Sequence, residues 1–420
     1  MRLLFTYIAI PILVLAIFFV PFRGLIILGV MCHLRPEIWG ASNWLRPIFI
    51  FTLATAFSCI LRCLKNEGIT FPTNLKILCL WLLAIYISSL HAVVSKSAAF
   101  DKVYTVFKLL ILMFLIAKLA DSTKKIDILF WSLIAGILWV TKSAYYEYLV
   151  LGYVRANPLG GPGGGSNALS TALVMTLPFL VYKFTQKTKI YKYGSLLLIG
   201  IWIGGIIFCA SRGAFIALTI CIALLIIKSK KKIKTTIFVS LLMILLLIFA
   251  PQYYWQRMRT ILTYREDVSA VSRLVLWKAG IKIFNDYPIY GVGPGNFALV
   301  VPAYTQSTPF AGEMLEAHNT FIQLLAEGGM QSLLLYMIAI LTTLLSLRKI
   351  RKKKLNSKHY EDIYILSNSL EIGIIVFLIR SLTGTTIYKE LLYWFLGLSS
   401  ALIEVTNKLE TYEDSYFSND

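Results

Sequence analysis

Three residues in the second half of the chain have side chains suited to a negatively charged substrate. Arg212 stands between two apolar runs, where an arginine is costly unless it serves a function, although its charge could also reach the lipid headgroups. Arg273 lies in a hydrophilic segment and carries the same guanidinium fork, which binds a phosphate through two parallel hydrogen bonds. Because a loop arginine is more often a solvated charge, the residue types favour an anion site most clearly at Arg212.

The third residue, His318, is the one histidine of the hydrophilic segment 251–318. It occurs in Glu316-Ala-His-Asn319, at the start of an apolar run and beside two polar neighbours. An isolated histidine is more often structural. At the boundary between water and membrane, however, a neutral imidazole can accept a proton or contact an anion. We therefore treat His318 as a candidate proton acceptor.

Other kinds of site lack their sequence motifs in this chain. There is no Asp-x-Asp pair, no His-Glu-x-x-His motif and no Walker loop, and Gly291-Val-Gly-Pro-Gly295 lacks the strand and the spacing of a dinucleotide site. Cys59 and Cys63 are four residues apart without a neighbouring histidine or acid, so we interpret them as small apolar residues. The sequence predicts no disulfide, no metal site and no cofactor.

Long apolar runs must position these groups. Hydrophobic residues make up 58% of the 420 residues, against roughly 45–50% in globular domains, and many runs approach the length of a membrane crossing. Whether the short second run crosses the membrane, and on which side the N-terminus lies, stays open. The runs predict twelve to thirteen transmembrane helices, at residues 3–20, 24–34, 47–63, 76–94, 102–120, 127–146, 168–183, 194–210, 213–228, 235–250, 319–347, 362–384 and 390–407.

Lysines and arginines cluster in short loops between the apolar runs. The net charge of +20 therefore reflects membrane topology and does not predict a nucleic-acid partner. The basic loops 228–234 and 348–354 are expected to be cytoplasmic, and counting the intervening runs places the other basic clusters on the same side. The glycine-rich loop 157–167, the turn 210–213 and the segment 251–318 then lie outside the cytoplasm, together with the three candidate residues.

The sequence thus predicts an all-α polytopic protein of the lipid bilayer with one large extracytoplasmic loop that contains short helices. Apolar residues recur at helical spacing over residues 272–284, which predicts a helix near the membrane surface with Arg273 and Trp277 on one face. We expect four segments: a transmembrane bundle over 1–250, the loop over 251–318, C-terminal transmembrane helices over 319–407 and a polar cytoplasmic tail over 408–420.

Taken together, the motifs resemble those of the O-antigen ligase and Wzy-type polymerase superfamily. Their order and spacing match over about residues 200–345: Ser211-Arg212-Gly213, Arg273 with Trp277, Gly291 to Phe297, Ala317-His318-Asn319 and Glu327-Gly328. The resemblance implies a metal-independent, inverting glycosyltransferase of the GT-C type. In that family two arginines hold a lipid diphosphate and a histidine serves the acceptor, roles that the motifs assign here to Arg212, Arg273 and His318. Residues 21–24 and 34–39 also resemble the O-glycosylation ligase branch found beside exosortase systems.

The resemblance also implies partners. The donor would be a glycan on undecaprenyl diphosphate, and the acceptor would be lipid A-core, a protein hydroxyl or another glycan, on the outer face of a bacterial inner membrane.

Glu316 would orient His318, and the neighbouring Asn319 is a further candidate for substrate contact. Arg380, near the outer end of its run, is a candidate for contact with the diphosphate or the lipid. Glu371, deeper in the same run, is expected to join a structural ion pair.

Other functions stay open from sequence alone. A Wzy-type polymerase shares these motifs, and we favour a one-step ligase because the chain has one phosphate-type arginine pair, one large outer loop and a tail predicted on the cytoplasmic side. A transporter or flippase of lipid-linked glycans would also carry intramembrane charges, but its interrupted helices in paired halves are not visible. A non-catalytic component of polysaccharide export would not need His318.

Overall fold

The computed structural model describes residues 2–34, 46–66, 70–158, 164–186, 188–230, 232–263, 268–353 and 357–417. Residues 35–39 of the second resemblance, and most of the glycine run at 160–165, lie outside these ranges. Over the described ranges the chain forms helices joined by turns, without a strand. The predicted all-α class is therefore confirmed.

Sixteen helices follow one another in the described chain, and their order matches the predicted runs. Three of them, α11 to α13, are those of the large loop. The helices are α1 (Arg2–Phe19), α2 (Phe22–Leu34), α3 (Pro47–Asn66), α4 (Thr73–Leu90), α5 (Lys96–Leu119), α6 (Thr123–Leu149), α7 (Gly165–Phe184), α8 (Lys189–Cys209), α9 (Arg212–Lys228), α10 (Lys232–Phe249), α11 (Gln252–Arg259), α12 (Val268–Asp286), α13 (Phe297–Tyr304), α14 (Thr320–Ile350), α15 (Ser357–Ser381) and α16 (Glu390–Phe417).

Several of these helices are suited to a bilayer, where each backbone polar group must find its partner inside the segment. Within the described residues, six segments are long and apolar enough to cross a membrane: Thr73–Leu90, Thr123–Leu149, Gly165–Phe184, Lys189–Cys209, Thr320–Ile350 and His359–Ser381. The chain is thus an all-α polytopic membrane protein. The larger number of twelve to thirteen crossings stays a prediction.

The C-terminal helices pack among the N-terminal ones. Helix α14 contacts α4, α15 contacts α7 and α9, and α16 contacts α5. Buried hydrogen bonds join such neighbours, as where the indole Nε1 of Trp81 donates to the hydroxyl of Ser332 at 2.8 Å. Residues 1–250 and 319–407 therefore share one helical bundle.

The large loop folds against the beginning of α14. The predicted helix over 272–284 lies inside α12 and is confirmed. Trp277, on that helix, donates from its indole Nε1 to the carbonyl oxygen of Ala317 at 3.0 Å. Apolar side chains of α12 and α13 pack around the same point, among them Leu276 and Phe297. The backbone next to His318 is therefore held by the loop.

A kink in α14 receives the glycine-rich turn 291–295. Gly329 adopts φ 72° and ψ −174°, which interrupts the helix. The backbone N–H groups of Val292 and Gly293 donate to the carbonyls of Ala326 and Glu327, each at 2.9 Å. A Cβ at Gly291 would lie 2.4 Å from the carbonyl carbon of Glu327. The close backbone approach that Gly291 permits is therefore to α14 itself.

Basic residues gather at the opposite ends of α9 and α14. The buried carboxylate of Glu371 lies 2.7 Å from Lys228 Nζ and 2.7 Å from Arg348 Nε, and it also contacts Arg351. The expected structural ion pair of Glu371 is thereby confirmed, as a cluster. Nearby, α16 continues to Phe417, so residues 408–417 of the predicted tail extend the last helix.

The arrangement predicts which residues a membrane-impermeant reagent reaches from each side. In a cysteine-free background, we expect single cysteines at Lys232 and Lys349 to react only after the membrane is permeabilised. Both residues lie at helix ends that carry the basic clusters, which are predicted to be cytoplasmic. Cysteines at Gln306 and Glu313, both exposed in the large loop, should react in intact cells. Labelling at Lys349 in intact cells would place the large loop in the cytoplasm.

Candidate functional site

A cavity of about 260 Å³ lies where the large loop meets the bundle. Its wall includes His318 and Glu316 from the end of the loop and Arg380 from the end of α15. Hydroxyl and amide groups from α7 and from the connection between α15 and α16 complete it, among them Asn167, Thr171, Thr383 and Thr386. Three of the predicted site residues thus meet in one cavity although they come from distant parts of the chain.

Arg380 is the most deeply buried of the candidate cations, with 3% of its surface exposed. Its Nε donates to the hydroxyl of Thr171 at 3.0 Å and its Nη1 to the hydroxyl of Thr383 at 2.8 Å. Both partners are neutral, so neither bond cancels the charge of the guanidinium. A charge kept in a low-dielectric setting by neutral partners attracts an anion strongly.

The backbone of His318 adopts φ 48°, in the left-handed region. Such a conformation costs energy in a residue other than glycine, and it persists only where its surroundings impose it. Here the preceding carbonyl is held by Trp277, and the following residue, Asn319, caps α14 by accepting from the N–H groups of Phe321 at 3.0 Å and Ile322 at 3.2 Å. Because this cap uses the side-chain oxygen of Asn319, the predicted substrate contact of Asn319 would be made by its amide nitrogen.

The charge state of His318 follows from its surroundings. Burial lowers the pKa of the imidazole below its usual range, the guanidinium of Arg273 lowers it further, and the carboxylate of Glu316 offsets part of the decrease. A histidine with a lowered pKa is neutral at pH 7 and has a free lone pair. His318 can thus accept a proton. The charge of Arg273 also acts on Arg380, so His318, Arg273 and Arg380 are electrostatically coupled.

Arg212 begins α9 beside this cavity and does not line it. Its Nη1 donates to the hydroxyl of Thr260 at 2.9 Å, which connects α9 to the end of α11. Its neighbour Gly213 packs against Arg380: a Cβ there would lie 1.7 Å from the Nη1 of that arginine. The guanidinium of Arg380 therefore lies against the backbone that follows Arg212, although 168 positions separate the two arginines in the sequence.

Two further arginines, Arg155 and Arg257, surround the turn before Arg212. Arg155 donates from Nε to the carbonyl of Cys209 at 3.0 Å, and Arg257 donates from Nε to the carbonyl of Ala210 at 2.8 Å. Burial lowers the pKa of Arg155, and the charge of Arg257 lowers it further. Neither residue was predicted, because no sequence spacing relates them. The sequence indicated only that both residues lie in loops predicted on the same side of the membrane.

Asn167 joins the turn to the cavity. Its Oδ1 accepts from the hydroxyl of Ser211 at 2.8 Å and from Arg155 Nη2 at 3.4 Å, and the residue also lines the cavity. The arginines around the turn and the groups around His318 are thus two parts of one cation-rich region.

The buried carboxylate of Glu327 is connected by hydrogen bonds to the segment that lines the cavity after Arg380. Its Oε1 accepts from Gln323 Nε2 at 2.9 Å and its Oε2 from the hydroxyl of Tyr388 at 2.9 Å. Gln323 in turn accepts from the hydroxyl of Thr385 at 2.7 Å. The sequence placed Glu327 in a motif without a role, and the structure shows it connecting α14 to the segment that follows Arg380.

A known protein family matches a segment of the chain that contains part of this site. Residues 196–337 match the model of the family described as O-antigen ligase. This match confirms the resemblance of this segment to the superfamily that the motifs indicate, and it supports a function of the ligase or polymerase type for a multi-pass membrane protein. Arg212, Arg273 and His318 lie inside the matched segment, whereas Arg155 and Arg380 lie outside it. Among curated proteins, none matches the chain at a significant level.

The electrostatics of His318 can be tested directly. Because Glu316 raises the pKa of His318, we expect Glu316→Gln to lower that pKa further, measured by NMR titration of histidine-labelled protein with His318→Gln for assignment. Glu313→Gln removes an exposed carboxylate of the same loop and should leave the pKa of His318 unchanged. An unchanged or higher pKa in Glu316→Gln would mean that Glu316 does not act on the imidazole.

Proposed function

We propose that the protein is a glycosyltransferase that transfers a glycan from undecaprenyl diphosphate to a hydroxyl of an acceptor outside the cytoplasm. The observation that carries the proposal is the cavity in which the imidazole of His318 and the guanidinium of Arg380 meet within the electrostatic reach of Arg273. A proton acceptor beside buried cations is the arrangement that displacement of a diphosphate needs. The family match at residues 196–337 supports the same class of reaction.

In the proposed reaction, the arginines stabilise the leaving group. As the bond between the sugar C1 and the diphosphate oxygen breaks, its electron pair stays on that oxygen and adds negative charge to the diphosphate. Arg212, Arg273 and Arg380 would neutralise this charge. Such preorganised groups typically contribute about 3 kcal/mol each in a site that excludes water.

His318 would activate the acceptor. Its neutral imidazole takes the proton of the acceptor hydroxyl, whose oxygen then attacks C1 from the face opposite to the leaving diphosphate, so that the anomeric configuration inverts. General base catalysis of this kind is worth roughly 10²–10⁴-fold in rate. Because the charge on the leaving group is met by guanidinium groups, the proposed mechanism uses no divalent cation.

We propose a one-step ligase whose acceptor is lipid A-core, a protein hydroxyl or another glycan. A Wzy-type polymerase is the second candidate, and one observation favours it: Arg155 and Arg257 lie around Arg212 and beside the cavity of His318, where a second lipid diphosphate could bind. A transporter of lipid-linked glycans would need no proton acceptor in the cavity. A requirement for His318 therefore distinguishes both proposed enzymes, the ligase and the polymerase, from a transporter.

Substitutions at the site should abolish transfer in a purified assay with a lipid-linked donor. We expect His318→Ala to lower the rate at least about 100-fold, because the proton acceptor is lost, and Arg212→Ala and Arg273→Ala to lower it by a similar factor. Lysine at either arginine position should restore little activity, since a point charge cannot make two parallel hydrogen bonds.

Arg259→Ala is the matched control for these variants, because Arg259 is an exposed arginine on the neighbouring α11 and should be dispensable. Excess EDTA should leave the wild-type rate unchanged, and a loss that Mg²⁺ or Mn²⁺ reverses would show a missed metal site. Wild-type transfer by His318→Ala would remove the proton-acceptor assignment and favour a transporter or a non-catalytic export component.

Ligase and polymerase differ in what accumulates without the protein. A ligase transfers a finished chain, so a deletion strain should hold full-length glycan on undecaprenyl diphosphate while its acceptors stay bare. The measurement is the size distribution of lipid-linked and acceptor-linked glycans. Acceptors carrying single repeat units would identify the protein as the polymerase instead.

A further inference from the structure

A second cavity, of about 580 Å³, lies at the other end of the bundle. It forms where α7 and α9 end and where α8, α10 and α15 begin. Its lining combines aromatic rings and aliphatic chains with ammonium groups, and it includes Tyr182, Phe184, Lys192, Lys230, Lys234, Phe238, Tyr360 and Tyr364. None of these residues takes part in the proposed transfer reaction.

The charge of this cavity is positive. Three lysines, Lys192, Lys230 and Lys234, face one carboxylate, that of Glu361. The Nζ of Lys230 lies 4.4 Å from the ring centroids of both Tyr360 and Tyr364, so its ammonium is held in the lining by two cation–π contacts. A positive cavity with a positioned ammonium favours an anionic ligand.

Part of the cavity lining is apolar. The rings of Phe184 and Phe238 stack at 4.5 Å with an angle of 18° between their planes. On the outward faces of the two flanking helices, Ile190 of α8 and Ile233 of α10 are 76% and 77% exposed, as expected for side chains that meet lipid. Exposed apolar side chains therefore occur at the starts of both helices that flank the cavity.

A hydroxyl in the lining completes the set of groups. Tyr182 is 7% exposed, and within the described part of the chain its OH has no hydrogen-bond partner. A buried donor without an acceptor costs stability, which a ligand oxygen would recover. Phosphate and ester oxygens of a lipid are acceptors of this kind.

We propose that this cavity binds an anionic glycerophospholipid, with its phosphate between Lys192, Lys230 and Lys234 and an acyl chain along Phe184 and Phe238. Basic pockets between transmembrane helices are suited to such headgroups. The apolar lining favours a lipid over free phosphate, and the excess of ammonium groups disfavours a headgroup with its own positive charge. The proposal does not depend on the transfer reaction.

Native mass spectrometry of the purified protein can test the lipid site. We titrate phosphatidylglycerol and phosphatidylcholine with identical acyl chains, and we expect about tenfold tighter binding of the anionic lipid. The double variant Lys230→Gln/Lys234→Gln should bind phosphatidylglycerol roughly 30-fold more weakly, because two ammonium groups are removed. Tyr182→Phe should weaken it several-fold without changing the charge.

The control variant Lys349→Gln/Lys352→Gln removes the same charge at the same end, from exposed lysines outside the cavity, and should bind like wild type. Equal loss in this control would reduce the site to a general basic surface. Equal binding of both lipids by wild type, or displacement of the lipid by equimolar glycerol phosphate, would each overturn the proposal. Both wild-type measurements decide the question even if the lysine double variant does not fold.

Discussion

Positive charge held inside the protein by neutral oxygen atoms is the constraint on which the candidate site depends. Arg380 is bound by two threonine hydroxyls, and the arginines around the turn before α9 are bound by backbone carbonyls. Guanidinium groups repel each other in a medium of low dielectric constant, so the fold must hold them in place. The left-handed residue Ala210 supplies one of the carbonyls that do so, to Arg257. An anionic substrate would relieve the repulsion.

The opposite end of the bundle contains similar residues with a different outcome. There the carboxylate of Glu371 contacts Lys228, Arg348 and Arg351, so each of these cations has an anionic partner within the protein. Removing one partner of such a buried cluster is destabilising, so we interpret it as structural. The difference between the two ends is direct contact between a carboxylate and the cations: Glu371 forms ion pairs, whereas Arg380 is bound by threonine hydroxyls although Glu316 lines the same cavity. This contact separates a structural cluster from a candidate binding site more clearly than the number of basic residues does.

Much of this organisation could be predicted from the sequence, for identifiable reasons. The helices follow from apolar runs, and α12 follows from helical spacing over residues 272–284. Arg212 was singled out because an arginine between apolar runs is costly, and His318 because it is the one histidine of the segment 251–318. The positions of Arg155 and Arg257 could not be predicted, since each is fixed by a carbonyl that lies more than 40 residues away in the chain. Contacts of that kind arise only once the bundle is assembled.

The buried network around Glu327 shows why the site extends beyond the segment that matches the family model. Hydrogen bonds to α14 hold the connection between α15 and α16 at Gly384 and Thr386 through Thr320, at Thr385 through Gln323, and at Tyr388 through Glu327. Thr383, in the same connection, donates no such bond to α14 and instead accepts from Arg380. The position of the Arg380 guanidinium therefore depends on α14, whose kink at Gly329 is in turn occupied by the glycine-rich turn. Residues 196–337 thus supply His318 directly and hold the connection that carries Thr383, whereas the other hydrogen bond of Arg380 goes to Thr171 of α7, outside that segment.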